Sequence, residues 1–202
     1  MINDPTTKLI VSLALLIGGY LLGSVLPANF FFWLARRSSP YEMGEKPSTF
    51  AVMRKVGIIP GILCLLFDFG KGFLPGFLAI TFGLDAPWLP FITVAPVLGH
   101  NWPFLRWKKG GWGMAATGGT FLAVGWWLPA IIAAMIAIPC GLLWRSKPGL
   151  AIGGVGFPLF LIMMFVFHKP LINFISALVV MSIEIYRRLT GERHKKAAVP
   201  GS

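Results

Sequence analysis

Followed residue by residue, the chain alternates long apolar runs with short polar stretches. The runs cover about residues 9–35, 56–82, 88–102, 112–124, 126–144, 149–167 and 170–186. Several approach or exceed the roughly 20 residues that cross a bilayer as helix. They predict an all-α integral membrane protein: one polytopic domain over 1–202, with seven spans and a polar tail, 187–202. The third run is interrupted by Pro90 and Pro96. The fourth is short and rich in small residues (Ala115, Ala116, Gly118, Gly119), the kind of face that lets helices approach closely. Helices 3 and 4 are therefore expected to be short or re-entrant, and a re-entrant pair would leave five full spans with the same sidedness. The apolar run after Lys8 is too long for a signal-peptide core and lacks a small-residue cleavage site, so no cleaved leader is expected.

Charge placement orients this pattern. Of the 18 Lys and Arg, fifteen fall on one side of a seven-span arrangement. They lie in the first loop (Arg36, Arg37, Lys46, Arg54, Lys55), the second (Arg106, Lys108, Lys109), the third (Arg145, Lys147) and the tail. Only Lys8 and Lys169 fall on the other side, and Lys71 lies within a run. The positive-inside bias predicts the N-terminus outside and the C-terminus in the cytoplasm. The net charge of +11 then reads as topology plus attraction to anionic membrane lipids, with no nucleic-acid partner. At 56% hydrophobic and 12% charged residues, a water-soluble globule is excluded.

Few residues inside the runs carry chemistry. Asp68 and Lys71, three apart in FDFGKG, share a helix face. They read as a structural ion pair or as a functional site inside the bundle. Cys64 and Cys140 sit in apolar runs and read as buried thiols. His100, His168 and His194 are not spaced as a metal site, so neither metal nor cofactor is expected. A histidine on a membrane helix can also ligate a haem or similar pigment, which leaves a pigment-binding subunit as a minor reading. Trp and Phe, at 8 and 17 residues, fit interface anchors and lipid-facing surface. The stretch LGHNWPFLRWKKGGWG (98–113) leaves an apolar run, passes three cations, and enters a glycine cluster ahead of the next run. Glycines before a helix turn backbone N–H groups toward an anion, and Lys109 beside them suits phosphate. The same stretch is equally a basic loop between two spans.

Taken together, LLGS (21–24), RKVG (54–57), FDFGKG (67–72), LGHNWP (98–103), KGGWG (109–113) and RRLTG (187–191) resemble the PlsY-type glycerol-3-phosphate acyltransferases of bacteria. The resemblance runs nearly end to end. It implies a seven-helix bundle in a bacterial inner membrane that acylates glycerol 3-phosphate from acyl phosphate. It also implies roles by position. Ser24, Arg54, His100 and Lys109 would be the catalytic candidates. Arg54, Lys109, Gly110, Gly111, Gly113 and Arg187 would be the phosphate-binding set.

The departures are specific. The family's first-loop motif, G-S-G-N-x-G-x-T-N-x-x-R, falls on Met43 to Arg54, where only the arginine is kept. Pro47 removes a donor there, and Glu45 puts a carboxylate where an anion should bind. In the glycine-rich loop the family's second lysine is Trp112 and its threonine is Ala116. Before Arg187, the family's His-Arg-Glu-Asn run is Met181, Ser182, Ile183 and Glu184. Losing one positioned donor costs about two to three orders of magnitude in rate. The expectation is therefore a divergent, non-catalytic member: a lipid-binding or accessory subunit of a larger membrane complex. The alternative is an active acyltransferase of phospholipid synthesis with a redrawn site.

Overall fold

A computed structural model describes residues 2, 4–36, 38–84, 87–104, 110–111, 113–143, 148–167, 174–183 and 185–186. Among them every regular element is helical. The order is α1 (Pro5–Ser24), α2 (Pro27–Arg36), α3 (Thr49–Lys55), α4 (Ile58–Thr81), α5 (Trp88–Asn101), α6 (Met114–Ala123), α7 (Trp127–Leu143) and α8 (Pro148–Val166). A further helical run, Phe174–Ile183, is called α9.

The count corrects the expected seven. The first apolar run is two helices, because Val25 turns extended (φ −72°, ψ 119°) and Pro27 opens α2. A proline disfavours helical backbone at the residue before it and suits the first position of a new helix. The first loop also holds a helix of its own. Ser48 caps α3 by accepting from the Ala51 N–H at 3.2 Å, and Ala51 and Val52 are buried beneath it.

α1 begins at a firm cap, with Asp4 Oδ2 accepting from the Thr7 N–H at 2.7 Å and the Thr7 hydroxyl at 2.6 Å. Those bonds, the hydroxyl's first, hold the Asp4 carboxyl below its ordinary 3.8. α1 packs along α5, α4 along α6 and α7 along α8. Each of the first two crossings is made by glycine. A Cβ on Gly23 would overlap the Pro96 carbonyl, and one on Gly99 the Tyr20 carbonyl. Gly72 and Gly119 stand in the same relation to the carbonyls of Ala116 and Phe69.

The core is three apolar clusters. Ala28, Phe31 and Phe32 of α2 pack with Ala51, Val52 and Cys64. Ala79, Leu84 and Ile92 join α4 to α5. Val94, Val97, Phe121, Trp126, Phe160, Met164 and Val180 bind α5 to α6, α8 and α9. The outer surface is apolar too, with Ile10, Ile17 and Leu21 of α1 and Ile59, Leu66 and Phe67 of α4 exposed. Pro5–Ala35 and Ile58–Thr81 are long and apolar enough to cross a membrane; Trp127–Ala137, Val155–Val166 and Phe174–Ile183 are shorter apolar helices.

Candidate functional site

The charged centre is built where α1 ends. Lys71 Nζ lies 2.8 Å from Asp68 Oδ1 and donates to the Val25 carbonyl at 2.7 Å. That carbonyl is one of those left without an intrahelical partner when α1 stops, and the end of a helix carries partial negative charge. The ammonium thus satisfies the broken helix and the carboxylate together. His100, near the end of α5, puts Nδ1 3.4 Å from the same Asp68 oxygen. All three side chains are at most 5% exposed. Cys64, one turn before Asp68, lies 3.9 Å from both Asp68 Oδ2 and the Thr49 hydroxyl. α3, α4, α5 and the α1–α2 break therefore meet at one polar cluster inside apolar packing.

The glycine turn lies directly over it. The Gly111 N–H donates to the His100 carbonyl at 3.1 Å. A Cβ on Gly111 would overlap His100 Nε2 and stand 2.7 Å from the Pro47 carbonyl, and one on Gly110 would overlap the Asn101 carbonyl. Gly113 takes φ 81° ahead of α6, a left-handed conformation that favours glycine. Backbone from the first loop, the end of α5 and the glycine turn is thus in contact. Lys109, Trp112 and Arg187 lie outside the described residues, as do Arg106, Lys108, His168, Glu184 and His194.

Ser24 is engaged on both sides. Its hydroxyl donates to the Tyr20 carbonyl at 2.9 Å and accepts from the Phe104 N–H at 3.1 Å. Tyr20 donates its own hydroxyl to the Trp102 carbonyl at 2.9 Å. The end of α1 therefore holds the chain leaving α5. Sequence reading missed Tyr20, whose hydroxyl inside an apolar run was the available signal, because a phenol packed among apolar side chains needs a partner. Arg54 stands apart from the charged cluster at the end of α3, with Nη2 3.1 Å from both carboxylate oxygens of Glu45.

Among the described residues no group of three His, Cys, Asp or Glu could hold a metal ion. What the arrangement offers is a buried, internally neutralised charge cluster beneath a tight glycine turn. Two donors of the expected phosphate-binding set, the Gly111 amide and the Arg54 guanidinium, rest on the protein's own oxygens.

A family model described as glycerol-3-phosphate acyltransferase matches residues 13–194. The glycerol-3-phosphate acyltransferase of Shouchella clausii is 33% identical over 194 residues, covering 90% of this chain and 91% of that protein. That of Salmonella arizonae is 36% identical over 115 residues, 56% of each, so the match spans about half the length of that relative. Two solved structures are similar along the whole fold. One is PlsY, an integral membrane glycerol 3-phosphate acyltransferase, in its glycerol 3-phosphate form: 29% identity, 95% of each chain, TM-score 0.69. The other is its lysophosphatidic acid form, at 28% identity, 92% of each chain and TM-score 0.69.

Proposed function

Because the chain belongs to the glycerol-3-phosphate acyltransferase family, a family whose solved relatives are integral membrane proteins, we propose that it is a non-catalytic member. It would sit in the bacterial inner membrane with its N-terminus outside and its C-terminus in the cytoplasm. It would use the former cleft as a lipid head-group pocket or as a docking surface within a larger membrane assembly. The observation that carries this is the engagement of two donors of the expected phosphate-binding set. The Gly111 N–H is on the His100 carbonyl and the Arg54 guanidinium is on Glu45. Acyl transfer to glycerol 3-phosphate needs such donors free, because they hold the phosphate while a hydroxyl attacks the acyl carbon and the donor's phosphate leaves. In sequence, Phe50 falls on the threonine of the first-loop motif, Pro47 brings no N–H to that loop, and Trp112 replaces the second lysine of the glycine-rich motif.

The test is direct. Purified protein given acyl phosphate and glycerol 3-phosphate should make no lysophosphatidic acid above background, and it should not complement a strain lacking its acyltransferase. Trp112→Lys alone should not restore turnover.

A second reading is an active acyltransferase with a redrawn site. The buried Asp68–Lys71–His100 cluster beneath the packed Gly110–Gly111 turn favours it, as do the activities for which the relatives are named. Ser24, Arg54, His100 and Lys109 would be its working residues, with Gly110, Gly111, Gly113 and Arg187 on the phosphate. Turnover abolished by Lys109→Ala and by Arg54→Ala would put this reading first.

A further inference from the structure

The first loop is a rigid platform. Pro40 and Pro47 are fully buried. Between them a 3-10 turn, Tyr41–Met43, closes with the Gly44 N–H on the Tyr41 carbonyl at 3.0 Å, and Gly44 takes φ 70°. The Glu45 N–H donates to the Pro40 carbonyl at 2.8 Å. The carboxylate is thereby delivered from a fixed backbone. Glu42, the loop's other acid, is turned to Ser39, where Oε2 accepts from the N–H at 3.0 Å. Arg54 is fixed from the opposite end by α3, whose Thr49, Ala51 and Val52 are buried. Its side chain is 59% exposed, so solutes reach it, and both Glu45 oxygens lie 3.1 Å from Nη2.

A guanidinium held in this way takes a carboxylate or a phosphate by the same donor geometry. We infer that Glu45 is an internal occupant of an oxyanion site on Arg54, and that it sets the loop against dianionic phosphate monoesters. The inference rests on the non-catalytic reading and supplies a cause for it. The pair is solvent-accessible, with Arg54 exposed and Glu45 half-buried, and contributes little to stability, so the carboxylate can be removed without unfolding the loop. A negative charge a few ångströms from a bound dianion should weaken its binding by about tenfold.

The experiment uses the full chain in phosphatidylcholine nanodiscs. One arm titrates glycerol 3-phosphate and inorganic phosphate. The other replaces free phosphate with phosphatidic acid in the disc, which separates a soluble ligand from a lipid head group. Glu45→Gln should bind the phosphate monoester about tenfold more tightly than the unaltered protein in at least one arm. Adding Arg54→Gln should abolish the gain. Equal affinities with and without the carboxylate in both arms overturn the inference, and so does a gain that survives Arg54→Gln. Turnover by the unaltered protein would overturn the non-catalytic reading alone, since the affinity ratio is read separately.

Discussion

Asp68 shows how little freedom the central residues have. Its oxygen faces an ammonium at 2.8 Å and an imidazole nitrogen at 3.4 Å. Asp68→Asn should lower the yield of folded protein sharply, because a buried charge stripped of its partner costs about 3–5 kcal/mol. Asp68→Asn with Lys71→Met should recover part of that yield, since the stranded ammonium is gone. Equal yields for the single and double variants, measured by size-exclusion chromatography in detergent, would show that the two groups do not depend on each other. Gly110→Ala should also fail, by overpacking against the Asn101 carbonyl, at about 1–3 kcal/mol. Spacing alone put Asp68 and Lys71 on one helix face. It could not bring in Val25 or His100, which lie 46 residues before Lys71 and on another helix. Contacts of that kind depend on how helices cross, and no local pattern carries them.

Elements were legible where apolar runs were long, and less so where the backbone breaks inside one. Hydropathy merges α1 and α2 because both are apolar. Pro27 was the signal that separates them, through its effect on the residue before it. α3 was hidden because seven residues in a polar loop make no visible period, although Ser48 three residues before Ala51 is a capping position. Small residues at 115, 116, 118 and 119 did point to close helix contact, and Gly119 of that set meets the Phe69 carbonyl. Its counterpart on α4, Gly72, lies against the Ala116 carbonyl. Gly72→Leu should therefore pry α4 from α6 and lower the thermal midpoint in detergent by several degrees. Gly70→Leu, where a Cβ meets nothing within 4 Å, should leave it nearly unchanged. Since leucine is the better helix former, a similar loss from both variants would mean that the close approach of α4 to α6 is not what makes Gly72 necessary.

At the scale of the whole molecule, the family could be read because its motifs are punctuation: glycines, prolines and a few charges in fixed order. The activity could not be read in the same way, because it depends on which oxygens occupy the donors. Sidedness is a further property of the whole chain, set by the cation bias. Fifteen of 18 Lys and Arg fall on one face only if the number of crossings is odd. The break at Val25–Leu26 does not change that parity if α1 and α2 together make one crossing. It would change parity if each crossed alone, but α1 by itself is 20 residues, about 30 Å of helix at 1.5 Å per residue. That already matches the roughly 30 Å hydrocarbon core, so α2 need not cross. A reporter fused after Ser202 should therefore read cytoplasmic, and one fused before Met1 should read external. A cysteine placed at Gly44, in the loop between α2 and α3, should be labelled only after a membrane-impermeant reagent is given access to the cytoplasmic face. Labelling of that cysteine from outside intact cells would mean that the positive-inside bias does not orient this chain. Arg54 and Glu45 would then face the wrong compartment for any cytoplasmic phosphate.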